Sequence, residues 1–237
     1  MIDLHCHLIF ETDDGAKTIE NSINMFREAA EAGFTEICCT PHYIEPQYIK
    51  TKSENKKKLA IIKKRLEEEG IDVKVYLGNE IYITENVHEL IEENKCSTIA
   101  DTDFVLVEFP MTFRSYIAEP EIENLISHGY TVILAHPERY SYVQKDISFL
   151  DDYIEKGVYL QSNYESLIGK YGHNAKKTLI KLLKEQKIDL LSTDNHREDS
   201  TYTKMDKILK KLKKYVDEDY YASLVSGTQK NILKNIK

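Results

Sequence analysis

The stretch Tyr130–Arg139 reads YTVILAHPER. Thr131–Ala135 are β-branched or apolar with no polar alternation, the pattern of a strand covered on both faces. The run ends on reactive groups, His136 and Arg139. The same plan repeats along the chain. Runs IDLH (2–5), EICCT (36–40), VKVYLGNE (73–80), FVLVEF (104–109), VYLQSN (158–163) and IDLLST (188–193) alternate with helical stripes. Ile19, Ile23, Phe26 and Ala30 keep helical spacing before Gly33, as do Leu59, Ile62 and Leu66 before Gly70. Ala175, Leu179, Leu182 and Leu183 form another stripe, and Ile208, Leu209, Leu212 and Val216 one more. Alternation of this kind predicts parallel βαβ units. About seven strands suit an incomplete α/β barrel better than a large open sheet. No linker, repeat or low-complexity tract breaks the pattern, so one domain over residues 1–237 is expected.

Composition narrows the function. A net charge of −8 argues against a nucleic-acid footprint, yet leaves room for a small anion held by local cations. The lysine-rich stretches KSENKKK (52–58) and KILKKLKKY (207–215) lie on amphipathic helical patterns and read as solvated faces. Cys6, Cys38, Cys39 and Cys96 do not form a disulfide framework: two are adjacent, and the runs around Cys6 and Cys38 read as buried strands. Cys6 points away from its histidine neighbours by the period of two. Asp3 and His5 interrupt any signal-peptide pattern, and no apolar stretch approaches the roughly 18 residues of a membrane span. A cytoplasmic protein without a membrane span is expected.

The residues at the C-terminal ends of the runs carry the chemistry, because active sites in barrels and open α/β sheets assemble at that edge. His5 and His7 end the first run and, two apart in an extended segment, point to the same side. TPH brings His42, GNE brings Glu80 and VEF brings Glu108. AHPER brings His136 and Arg139, and STDNH brings Asp194 and His196. Of eight histidines, His88, His128 and His173 fall elsewhere. Glu80, Glu108 and Asp194 follow apolar runs, where an unpaired carboxylate is costly to bury and a divalent cation removes the cost. Imidazoles and carboxylates without thiolates suit Mn, Fe or Zn better than Ca or Mg. The set is too large for one structural ion. In the loop FETDDGAK (10–17), Asp-Asp-Gly is a natural turn, and one aspartate could turn inward instead.

The His-x-His start, the Asp-Asp-Gly loop, TPH, GNEIYIT, VEF, AHPERY and STDNH resemble the PHP superfamily. ETDDGAKT and AHPERY resemble in particular its bacterial protein-tyrosine phosphatases encoded with capsule and exopolysaccharide genes. The match covers residues 1 to about 196. The resemblance implies a distorted seven-stranded (β/α)7 barrel of PHP type and three divalent metal ions, manganese before iron or zinc. Carried across by motif, His5, His7, Glu80 and Asp194 would hold one ion. Glu80 would bridge to a second, completed by Glu108 and His136. Asp14, His42 and His196 would hold the third, leaving Asp13 as a turn residue. Arg139 matches an arginine that grips phosphate, and Arg197 is the only nearby candidate for a second. The implied substrate is a phosphotyrosyl protein, and the implied partner is a bacterial tyrosine kinase.

Such a cluster would outweigh its four carboxylates by a net charge of about +2 and attract a phosphate dianion. Divalent ions can bring the pKa of water to about 7, which supplies a nucleophile at cellular pH. Phenolate, with a pKa of about 10, leaves more readily than an alkoxide. No Cys-x5-Arg loop is present, and Cys38 and Cys39 have no arginine at that distance. The competing readings are a small-molecule phosphatase such as a histidinol phosphatase, a phosphodiesterase or nuclease, and a non-catalytic metal-binding regulator. The loop Tyr43–Thr51 and the segment MTFRSY (111–116) are expected to flank the mouth, where their aromatics and Arg114 could contact a peptide or simply pack.

Overall fold

The computed structural model describes residues 1–236. Among these, nine strands make two parallel sheets. The strands are β1 (Ile2–Asp3), β2 (Glu36–Cys39), β3 (His42–Tyr43), β4 (Lys74–Leu77), β5 (Glu80–Tyr82), β6 (Phe104–Glu108), β7 (Thr131–Ala135), β8 (Tyr159–Asn163) and β9 (Leu190–Ser192). One sheet runs β1-β2-β4 and the other β3-β5-β6-β7-β8-β9.

The α/β class with parallel pairing is as expected, but the strand count is not, and the sheets do not close into one hydrogen-bonded ring. The reason lies in two short strands, one beyond a predicted run and one inside another. EICCT ends at Thr40–Pro41, where proline offers no N–H to a ladder, and β3 forms just past it. VKVYLGNE breaks at Gly78–Asn79 into β4 and β5. The chain passes from the small sheet to the large one at both places, so β2 and β4 pair in one, and β3 and β5 in the other. Gly78 is suited to the crossing, since a Cβ there would lie 3.0 Å from Ile99 and 3.1 Å from Thr40. The chain just past β1 spans the gap. The Thr40 N–H donates to the Cys6 carbonyl (2.8 Å) and the His7 N–H to the Asn195 carbonyl (2.9 Å), with a parallel bridge between Cys6 and Asn195.

Helices follow the predicted stripes at Ile19–Glu31, Lys52–Glu68, Gly172–Lys184 and Met205–Leu212. The last stops before Val216. Thr18 and Thr51 cap the first two with reciprocal side-chain bonds to Asn21 and Glu54. Ile23, Phe26, Leu59, Ile62, Leu179, Leu182 and Leu212 are buried in one core with strand residues Ile37, Val105, Val107, Val132 and Leu134. Strands covered on both faces are therefore held rigidly, and their C-terminal ends become fixed mounting points. Among the described residues no helix is long and apolar enough to cross a membrane.

Candidate metal centre

The predicted side chains converge, though not all from C-terminal strand ends. His5 and His7 continue β1, Glu108 closes β6, and His42 and Glu80 open β3 and β5, just past the ends of β2 and β4. His136 follows β7, while Asp194 and His196 follow β9. Buried Asp3 ties the first and last strand ends together, accepting from the His5 N–H (3.3 Å), the Thr193 N–H (3.1 Å) and the Tyr202 hydroxyl (2.9 Å). His136 (φ 33°) and Asp194 (φ 50°) sit in the left-handed region, a local cost that concentrates at functional sites.

Glu80 Oε2 is the hub. It lies 3.0 Å from His42 Nδ1, 3.1 Å from His5 Nε2 and 3.3 Å from His7 Nε2. Asp194 Oδ1 is 3.4 Å from His7 Nε2 and 3.6 Å from His5 Nε2. His136 Nε2 is 2.8 Å from Glu80 Oε1 and 3.6 Å from Glu108 Oε1. Asp14 Oδ1, on a half-exposed side chain, lies 3.4 Å from His196 Nε2 and 3.7 Å from His42 Nε2. Of the predicted donors, all but His136 fall into three groups: His5, His7, Glu80 and Asp194; His7, Asp14, His42 and His196; and His42, Glu80 and Glu108, where His42 stands in the place expected for His136. His42 and His7 each belong to two groups. The resemblance gave each of them to a single ion.

The donor set fits divalent cations. Glu80 Oε2, His42 Nδ1 and His136 Nδ1 are buried with no hydrogen-bond partner among the described residues, an arrangement that costs free energy unless something else satisfies them. Ligand bonds of about 2.1 Å set neighbouring donors about 3 Å apart when they meet at a right angle, close to the spacing around Glu80 Oε2. The outer ring nitrogens are already committed. His5 Nδ1 is 2.8 Å from Gln161 Oε1, His7 Nδ1 is 2.7 Å from Asp13 Oδ2, and His196 Nδ1 is 2.9 Å from the Asp194 carbonyl. Donation from each Nδ1 leaves Nε2 free to face the cluster.

Without an ion, protons balance the charge. Burial pulls the His5 pKa down, but Glu80 and Asp194 outweigh it and raise it to about 9. Burial, then the charge of Glu80, pushes Glu108 up to about 8. Burial and then Arg139 push His136 down to about 4. Divalent cations entering here displace protons.

Asp13 is more than a turn residue. It does accept from the Gly15 N–H (2.9 Å), closing the turn, but it is buried and its other oxygen accepts from His7 Nδ1–H and from the His42 N–H (2.8 Å). Gly15 is obligatory because a Cβ would lie 2.1 Å from the His7 carbonyl oxygen. Sequence reasoning also missed Gln161 and Asn163. Asn163 Nδ2 donates to Asp194 Oδ2 (2.6 Å). Two polar residues, two apart at the end of the apolar run VYLQSN, were the available signal.

A cavity of about 520 Å³ opens over the cluster, with Asp14, Glu108, Arg139, Lys170, Tyr171 and Arg197 among its walls. Arg139 Nη1 donates to Asp194 Oδ2 (2.8 Å), while Arg197 is exposed at the rim. Of the flanking segments, Tyr48 stacks on His42 with ring centroids 5.8 Å apart. Arg114 lies over Phe149 instead of the cavity, and Phe113 and Tyr116 stay exposed. His88 and His128 stack on each other at 4.2 Å, outside the cluster.

The tyrosine-protein phosphatase YwqE of Bacillus subtilis (strain 168) is 32% identical over 196 residues, which cover 83% of this chain and 77% of that protein. The tyrosine-protein phosphatase CpsB of Streptococcus agalactiae is 27% identical over 204 residues, 84% of each chain. A crystal structure from work on YwqE of Bacillus subtilis and CpsB of Streptococcus pneumoniae, described as unique metal-dependent tyrosine phosphatases, superposes with a TM-score of 0.92 at 30% identity, covering 100% of this chain and 96% of that one. Residues 1–234 match the family model for capsular polysaccharide synthesis, CpsB/CapC, and the chain belongs to that family.

Proposed function

We propose that this protein is a metal-dependent protein-tyrosine phosphatase that hydrolyses phosphotyrosine in proteins, working beside a bacterial tyrosine kinase of capsule or exopolysaccharide synthesis. The observation that carries the reading is Glu80 Oε2, buried, unpartnered and surrounded by three imidazoles at 3.0–3.3 Å, in a chain whose curated relatives are named tyrosine-protein phosphatases. In this reading His5, His7, Asp14, His42, Glu80, Glu108, His136, Asp194 and His196 hold three divalent ions, manganese before iron or zinc. The ions, when bound, supply a nucleophile by acidifying water and neutralise phosphoryl charge. Residues 1–237 act as one phosphatase domain. Its two sheets, joined past β1 by the Cys6 and His7 backbone bonds, serve as a distorted barrel. The free, buried cysteines suit a reducing cytoplasm.

The protein's own groups do the rest. Arg139 keeps one N–H on Asp194 and offers the others to the phosphoryl oxygens, in the positioning and electrostatic role phosphoryl transfer requires. Asp13 and Gln161 hold the rings of His7 and His5 in the tautomer that faces inward. Arg197 at the rim supplies a further positive charge. Phenolate needs little help from a general acid, so aryl phosphates are preferred over alkyl ones. The test compares kcat/KM on a phosphotyrosyl peptide with that on histidinol phosphate, using manganese-loaded protein. Preference for the peptide is the expected result; a large preference for histidinol phosphate ends the tyrosine reading.

A further inference from the structure

Tyr171 has no assigned part in this chemistry, yet it touches both ends of the Arg139–Asp194 pair. The Arg139 guanidinium carbon lies 4.4 Å from the centroid of the Tyr171 ring. The Tyr171 hydroxyl is 3.5 Å from Asp194 Oδ2, the same oxygen that accepts from Arg139 Nη1. Lys170 Nζ also approaches the ring, at 5.4 Å from its centroid. The chain is shaped to present this ring. Gly169 (φ 89°) and Gly172 (φ 91°) both adopt the left-handed conformation that side chains disfavour, and the Gly172 N–H closes the turn onto the Gly169 carbonyl (3.1 Å). Lys170 and Tyr171 stand between them, on the cavity wall.

We infer that Tyr171 is the positioning residue for Arg139: its ring holds the guanidinium flat against the cavity wall so that the free N–H edge meets the phosphoryl oxygens. This rests on the phosphatase reading above. A guanidinium stacked on an aromatic face keeps its donors in plane and available. Without the ring, Arg139 keeps its Nη1 bond to Asp194 and can swing about it. The phosphate then bears the cost of ordering it, which appears as weaker binding.

The experiment measures inorganic phosphate binding to manganese-loaded protein by calorimetry, alongside KM and kcat on a phosphotyrosyl peptide. Tyr171→Leu should weaken phosphate and raise KM by about tenfold, with kcat reduced less and bound manganese unchanged. Tyr171→Phe, which keeps the ring, should recover phosphate affinity to within about twofold. In an Arg139→Met background, Tyr171→Leu should have almost no further effect on phosphate affinity, because Tyr171 acts through Arg139. Should Tyr171→Leu lose its native circular dichroism, Tyr171→Met takes its place in the same cycle. Additive effects in the double variant, or a Phe variant as impaired as the Leu variant, overturn the positioning role while leaving the phosphatase reading intact. A native protein that neither binds phosphate nor cleaves the peptide overturns both.

Discussion

Substituting Asp13 by asparagine tests whether support behind the ligands governs metal affinity. The Asp13 carboxylate accepts from three donors: His7 Nδ1–H at 2.7 Å, the His42 N–H at 2.8 Å and the Gly15 N–H at 2.9 Å. Asparagine has one acceptor oxygen. If that oxygen keeps His7 and His42, the amide NH2 is turned against the Gly15 N–H, and a buried donor loses its partner. Such a loss costs about 1–3 kcal/mol. Removing the negative charge also makes the His7 ring a poorer ligand, and loss of a supporting partner of this kind lowers metal affinity by roughly 10–100-fold, or about 1.4–2.7 kcal/mol. Manganese content is measured by elemental analysis after equilibration in a series of chelator-buffered free manganese concentrations, with circular dichroism to confirm folding. A folded Asp13→Asn protein that binds manganese as tightly as the native one refutes the reasoning.

Four further outcomes are expected. Arg139→Ala should keep its metal content while kcat/KM on a phosphotyrosyl peptide falls by about 100–1,000-fold; unchanged kinetics would remove Arg139 from the site. His136→Ala should bind less metal by elemental analysis and lose turnover with it, and retention of the full metal complement would show that His136 is not a ligand. Gly15→Ala should lose metal binding and drop the melting temperature sharply, since its Cβ would overlap the His7 carbonyl oxygen; a native-like melt would contradict the close approach. Buried Glu165 meets the hydroxyl of Thr201 (2.9 Å) and the ammonium groups of Lys170 and Lys204. Burial raises its pKa, but these partners outweigh it and hold the carboxyl below its usual 4.5. A depressed folded pKa gives stability that is full above 4.5 and lost as pH falls through the folded value. Glu165→Gln should therefore flatten the acid limb of the stability curve below pH 4.5, and an unaltered limb would show that Glu165 does not titrate this way.

Most of the constellation was legible because period and position are local. Apolar runs mark where strands end, and His5, His7, His42, Glu80, Glu108, His136, Asp194 and His196 stand at or just beyond those ends, so their meeting follows from parallel topology alone. What was not legible depends on distant partners. The break at Gly78–Asn79 looks like a strand continuation and the short strand His42–Tyr43 is not signalled, because apolar pattern does not reveal which sheet a strand joins. Asp13 looks like a turn residue until its second oxygen is seen accepting from the His42 N–H, 29 residues on. Gln161, Asn163 and Tyr171 contact groups 156, 31 and 23 residues away, and no spacing rule connects such pairs. Sharing of His7 and His42 between donor groups is likewise a matter of ring orientation, which sequence order does not carry.

In the proposed reading these side chains hold ions on which phosphate ester cleavage depends. Elemental analysis of manganese-loaded protein, paired with phosphotyrosyl peptide hydrolysis before and after chelation, tests this dependence. About three ions per chain are expected, with loss of hydrolysis as they are stripped and recovery when manganese is restored. Undiminished hydrolysis by protein shown to be free of metal would contradict it.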